Sequence, residues 1–149
     1  MSNGDYQLSV QIIGVDELKQ AISGVNQVAK KAISDAINKS AYDLQAKAVP
    51  KAPHDQGTLR GSIHADSAPG YLAKVVGSNI QAAVGTNVKY AHYQEKGGYG
   101  NRIVRRYTEP GTGKYYMRDA ATETKPLFTE HLQFALKTIV SHLATKGAM

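Results

Sequence analysis

The chain contains no cysteine and no tryptophan, and only two phenylalanines stand beside its nine tyrosines. Without thiols, a disulfide scaffold and a thiolate zinc site are excluded, and a reducing compartment is compatible. No apolar run approaches the roughly 18–20 residues needed to cross a bilayer. The opening residues, Met1-Ser2-Asn3-Gly4-Asp5, lack the basic and apolar regions of a signal peptide. The expectation is a protein made and used in a cytoplasm, without a membrane step. The five histidines, His54, His64, His92, His131 and His142, show no metal-ligand spacing. No metal and no cofactor are expected.

What is present is enough sequence for one ordinary core: 149 residues, read as a single domain over 1–149. The net charge is +6, unevenly spread. Between Tyr99 and Arg118, five cations (Arg102, Arg105, Arg106, Lys114, Arg118) face one acid, Glu109, a local excess of +4. Tyr99, Tyr107, Tyr115 and Tyr116 interleave with them. Arginine neutralises phosphate, and tyrosine stacks on bases or fills a protein interface, so this composition suits a DNA-facing surface and a protein contact alike. Residues 97–113 read as a flexible basic insertion.

Periodicity supplies the elements. Tyr6 to Ile13 alternates as a strand. Asp16 is placed to cap a helix running from Glu17 to about Val49, with a break near Gly24. Its apolar stripe is rich in alanine, which lets a sheet or a neighbouring subunit approach closely. Val49 to Ile63 is a specified junction: Pro50 and Pro53 stop the helix, Asp55 closes an Asx turn, Gly57 takes positive φ and Thr58 caps the next short element. Short strands are expected at Ser62–Ala65, Tyr71–Val76 and Ile80–Gly85. Ile103–Tyr107 pairs with Lys114–Met117 as a hairpin. A short helix over Met117–Thr124 is interrupted by Pro126. A last helix comes after it with Phe128, Leu132, Leu136, Ile139 and Leu143 on one face, and residues 144–149 fray.

Motifs with catalytic meaning fail residue by residue. Pro110-Gly111-Thr112-Gly113-Lys114 has the end of a P-loop, yet Thr108 stands where its first glycine belongs and Tyr115 where magnesium needs a hydroxyl of Ser or Thr. Gly97-Gly98-Tyr99-Gly100 is no dinucleotide fingerprint. His92 beside Glu95 leaves a hydrolase reading, for which a surface histidine is the plainer account.

Three blocks in order carry a resemblance. The first is the long helix ending in Ala52-Pro53-His54-Asp55-Gln56-Gly57-Thr58-Leu59-Arg60-Gly61-Ser62-Ile63. The second is Ala83-Val84-Gly85-Thr86-Asn87-Val88-Lys89-Tyr90-Ala91-His92-Tyr93-Gln94-Glu95-Lys96-Gly97. The third is Tyr116-Met117-Arg118-Asp119-Ala120 before the C-terminal helix. Their order resembles the head–tail joining (neck or tail-completion) proteins of tailed bacteriophages. Gln56, Gln94 and Lys96 depart from that family's usual threonine, apolar and aromatic residues. The resemblance implies an α+β fold: a long N-terminal amphipathic helix packed on a small, mainly antiparallel sheet, with a C-terminal helix. It implies a virion structural protein that is not an enzyme and oligomerises as a ring. The partners it implies are its own copies, connector or head-completion proteins, and tail-tube or tail-terminator proteins, with non-specific contact to genomic DNA. Pro53, Asp55, Gly57, Leu59, Arg60, Gly85, Tyr90 and Tyr93 are then fold-building or subunit-contact residues. Arg102, Arg105, Arg106, Tyr107, Lys114, Tyr115 and Arg118 are the interface or DNA-facing set. A sequence-independent DNA-binding module using that set stays as the alternative.

Overall fold

The computed structural model describes residues 8–13, 27–53, 57–67, 70–76, 79–99, 102–103, 107 and 109–147. Asp16, Gly24, Asp55, Arg105 and Arg106 lie outside them. The α+β architecture is as expected. In chain order it comprises β1 (Leu8–Ile13), α1 (Gln27–Lys51), α2 (Thr58–Ser62), β2 (Tyr71–Val76) and β3 (Asn79–Thr86). Next come α3 (Ala91–Lys96), β4 (Gly98–Tyr99), β5 (Arg102–Ile103) and α4 (Tyr116–Gly147).

The sheet has the order β1-β3-β2, with β3 antiparallel to both neighbours. The α1 helix lies between this sheet and α4 because it is apolar on more than one side. Ala29, Ile33, Ile37, Ala41, Leu44 and Ala48 are buried in the main core with Ala82 and Val84 of β3. Ala36 packs with Leu132 and Ala135 of α4. Alanine in α1 therefore brings two layers close at once, chiefly a helix of the same chain. Polar side chains of α1 complete the fit. Asn38 Oδ1 accepts the Ala73 N–H (2.6 Å) at the irregularity in β2, and Gln45 Oε1 accepts the Ala65 N–H (2.8 Å). A bulge leaves a backbone donor outside the ladder, and Asn38 satisfies it.

Several expectations are corrected. The strand at Ser62–Ala65 shrinks to a single bridge, in which His64 and Gly85 exchange two backbone bonds of 3.0 Å. Ser62 instead ends α2, its hydroxyl donating to the Leu59 carbonyl and meeting Thr86 Oγ1. Gly70 closes tightly here, since a Cβ on it would stand 2.0 Å from the His64 carbonyl oxygen. The hairpin Ile103–Tyr107 with Lys114–Met117 is not formed among the described residues. Arg102–Ile103 pairs with Gly98–Tyr99, and Tyr116 and Met117 are buried in the first turn of α4.

Pro126 does not interrupt the C-terminal helix, which runs unbroken from Tyr116 to Gly147. The bond that Pro126 cannot donate belongs to the carbonyl of Thr122, an exposed residue that water can reach. Buried residues on both sides, Ala120 and Thr124 before it and Leu132, Ala135 and Ile139 after it, hold the helix on α1. Leu136, expected on the buried face, is 45% exposed, because Ala135 and Ile139 take the contact line.

Ion pairs tie α4 to α1. Asp43 meets His131 Nε2 at 2.7 Å, and Glu123 meets Lys51 at 2.7 Å and Lys47 at 3.8 Å. The hydrogen bond from Lys51, with the charges of Lys51 and Lys47, holds the Glu123 carboxyl below its usual 4.5, against desolvation and the Asp119 charge. A carboxylate whose folded pKa is depressed adds stability above its unfolded value and loses it as pH falls through the folded one. Thermal unfolding of the parent chain and Glu123→Gln should therefore diverge near neutrality and converge as pH drops below 4.5. Parallel curves across that range would contradict the pairing.

Candidate functional site

The junction after α1 and the segment before α4 meet at one corner of the molecule. The last carbonyls of a helix have no partner within it and must find one elsewhere. Here two distant segments supply the donors. Arg60 Nε donates to the Ala52 carbonyl (3.0 Å), and Arg60 Nη2 reaches the Pro50 carbonyl (3.4 Å) and Glu109 Oε2 (2.7 Å). The Gly113 N–H donates to the Lys51 carbonyl at 3.1 Å. Arg60 is therefore a clasp within the chain, joining the end of α1 to the Glu109–Thr112 turn. It is positioned by α2, which Gly57 starts at φ 79° and Leu59 pins by burial.

The start of α4 is held in a complementary way. The first N–H groups of a helix are unpaired and favour a negative charge. Glu95, on α3, accepts from the Met117 N–H at Oε2 (2.9 Å) and the Arg118 N–H at Oε1 (3.1 Å). Its own carbonyl accepts the Tyr115 N–H at 2.7 Å. Tyr116 completes the joint: its ring is buried and its hydroxyl donates to the Ala91 carbonyl at 3.0 Å. Burial pushes the Tyr116 phenol well above its usual value, with the Glu95 and Tyr90 charges adding to it, so it stays neutral. The carboxylate that a His92–Glu95 hydrolase would require is the cap of α4.

Between these two fixings sits Tyr115, at φ 61°. A non-glycine residue in this left-handed region carries about 1–2 kcal/mol of strain. Its backbone is gripped on both sides, by Glu95 and by the Asp119 N–H bond to its carbonyl (2.8 Å). Two cations approach its ring: Arg118 is 3.9 Å and Lys114 5.2 Å from the ring centre. The Lys114 stem runs over Gly97, where φ is +80° and a Cβ would meet it at 3.0 Å. Arg118 is exposed and also pairs with Asp119 at 3.1 Å.

The sequence-derived interface set is therefore only partly gathered. Lys114, Tyr115 and Arg118 form one surface. Tyr107 lies beside Gly113, its hydroxyl buried and without a hydrogen-bond partner among the described residues. Arg102 lies in β5. Of the fold-building set, Pro53 comes just after the end of α1, and Gly85 is buried in β3. Tyr90 precedes α3 and is 43% exposed, and Tyr93 packs edge-on against His92 with ring centres 5.4 Å apart. Sequence reasoning missed Glu95 and Glu109 as anchoring acids. Their partners lie 22 and 49 residues away, beyond any local signal. Among the described residues, no group of His, Cys, Asp and Glu is placed to hold a metal, and no helix is long and apolar enough to cross a membrane.

A family model described as "Bacteriophage HK97-gp10, putative tail-component" matches residues 16–97, more than half of the chain. The chain belongs to the HK97-gp10-like family. The match takes in the first two sequence blocks and ends at Gly97, beneath the Lys114 stem. No curated protein and no solved structure matches the chain. Membership in this phage tail-component family points to a structural role in the virion.

Proposed function

We propose that the protein acts at the head–tail junction of a tailed phage, in neck assembly or tail completion, as several copies arranged in a ring. Its partners are its own copies, the connector or head-completion proteins on one side, and tail-tube or tail-terminator proteins on the other. The observation that carries this reading is the family match over residues 16–97 together with the strained, cation-flanked Tyr115 beside its end. Strain held at an exposed corner is a pointer to function rather than to folding. Tyrosine and arginine are also enriched where protein interfaces concentrate their binding energy. A head-to-tail contact that closes on itself generates a ring.

Tyr115→Gly separates the two roles. Glycine relieves the left-handed strain, while the loss of the ring removes cation–π contacts worth about 0.5–1 kcal/mol each at exposed sites. Stability should stay within about 1 kcal/mol of the parent's. Complementation of a gene-null phage with this variant should nevertheless yield filled heads and separate tails by electron microscopy. Full plaque formation would remove Tyr115 from the proposed contact.

A further inference from the structure

The α1 helix carries a second stripe, mostly turned away from its core, although Ala32 within it also packs against the core clusters. Val28, Ala32, Asp35, Lys39, Tyr42 and Ala46 recur at alternating spacings of four and three, the repeat of a coiled-coil seam. All six are exposed or half-buried; Val28 is 37% and Tyr42 45% exposed. Beside the middle of this stripe, α4 presents Phe134, 71% exposed, at the edge of a groove of about 310 Å³. Ala32, Ala36 and Lys39 line one wall of the groove and His131, Ala135 and Thr138 the other.

The order of residues along the stripe matches its own reverse. If two α1 helices run antiparallel about a two-fold axis at the level of Ile37, Asp35 of each copy faces Lys39 of the other. The small Ala32 then faces the large Tyr42, and Val28 faces Ala46. Each of these pairings occurs twice, and each joins opposite charges or complementary sizes. We infer that the occupant of this face is a second copy of the chain, in an isologous antiparallel pairing of α1 flanked by the two α4 helices. Asp35 also pairs with Lys31 at 2.7 Å on a side chain 61% exposed, an arrangement that is easily exchanged in water. A two-fold contact closes after two copies, so it is separate from any ring-forming contact and does not depend on the head–tail reading.

Sedimentation equilibrium of the full chain tests the pairing, with the dimer expected at twice 16.1 kDa. Asp35→Lys and Lys39→Asp, each alone, put like charges opposite one another at two places and should weaken dimerisation about ten- to a hundred-fold. The double exchange restores opposite charges and should restore the dimer. Both sites are exposed, and circular dichroism confirms that the variants fold. The register has its own test, because the chain has no cysteine. Ala32→Cys combined with Tyr42→Cys should oxidise to a covalent dimer, since ten residues of helix separate the two sites within one copy by about 15 Å, too far to bridge. Either cysteine alone should not cross-link. A chain monomeric at every concentration, single exchanges without effect, a double exchange that does not rescue, or a double-cysteine variant that stays monomeric would each overturn the inference.

Discussion

Replacing Tyr116 by alanine is expected to cost about 3–5 kcal/mol, the range for deleting a buried aromatic side chain. The ring is 1% exposed at the point where α3, α4 and the main core meet. Its hydroxyl is the partner of the Ala91 carbonyl, and Ala91 is itself 1% exposed. Truncation would leave a cavity and take from the Ala91 carbonyl its side-chain donor. Tyr116→Phe separates the two contributions: it keeps the ring and should cost about 0.5–1.5 kcal/mol, the net worth of one hydrogen bond, since the Ala91 carbonyl keeps its place in the α3 ladder. Domains are stable by only about 5–15 kcal/mol, so the alanine variant should melt on the order of 10 °C lower or fail to accumulate. A melting temperature for Tyr116→Ala equal to the parent's would show that the joint of α3 and α4 carries no stability.

Arg60→Ala should rank second, at about 2–4 kcal/mol. The guanidinium is 20% exposed and binds two helix-end carbonyls and one carboxylate. Of these the Glu109 contact contributes least, because that carboxylate is 44% exposed and water screens the pair. Glu109→Gln should thus cost less than about 1 kcal/mol. Arg60→Lys keeps the charge and loses the planar fork that spans the partners, so it should fall between the two. Calorimetry gives the ranking. Hydrogen exchange at the Gly113 amide, which donates to Lys51, reads the same clasp locally: opening should speed it in Arg60→Ala. An arginine variant as stable as the parent, with Gly113 exchange unchanged, would contradict the assignment.

Elements set by local chemistry were legible before the structure. The strands expected at Tyr71–Val76 and Ile80–Gly85 are present and pair, and the helix through residues 27–51 follows its apolar stripe. Pro53 and Gly57 mark the junction because proline and glycine act on their own backbone. The errors came where tertiary contact overrode local preference. Lys114-Tyr115-Tyr116-Met117 has strand-like composition, yet Glu95 takes the N–H groups of Met117 and Arg118 and commits the segment to a helix start. Pro126 reads as a break unless one knows that the carbonyl it deprives belongs to an exposed residue and that α1 binds both halves. The clasp at Arg60 was legible only as a block residue. Its role depends on Glu109, which nothing in the first block announces. Likewise, the Tyr115 strain is a backbone fact, invisible to composition.

The central claim is that this chain is a building part of a phage particle. Quantitative mass spectrometry of purified virions tests it most directly. The account predicts peptides of the chain at several copies per particle, in fixed ratio to the other tail and connector proteins and retained after nuclease and salt washing. Particles that are complete and infectious yet free of the chain would contradict it.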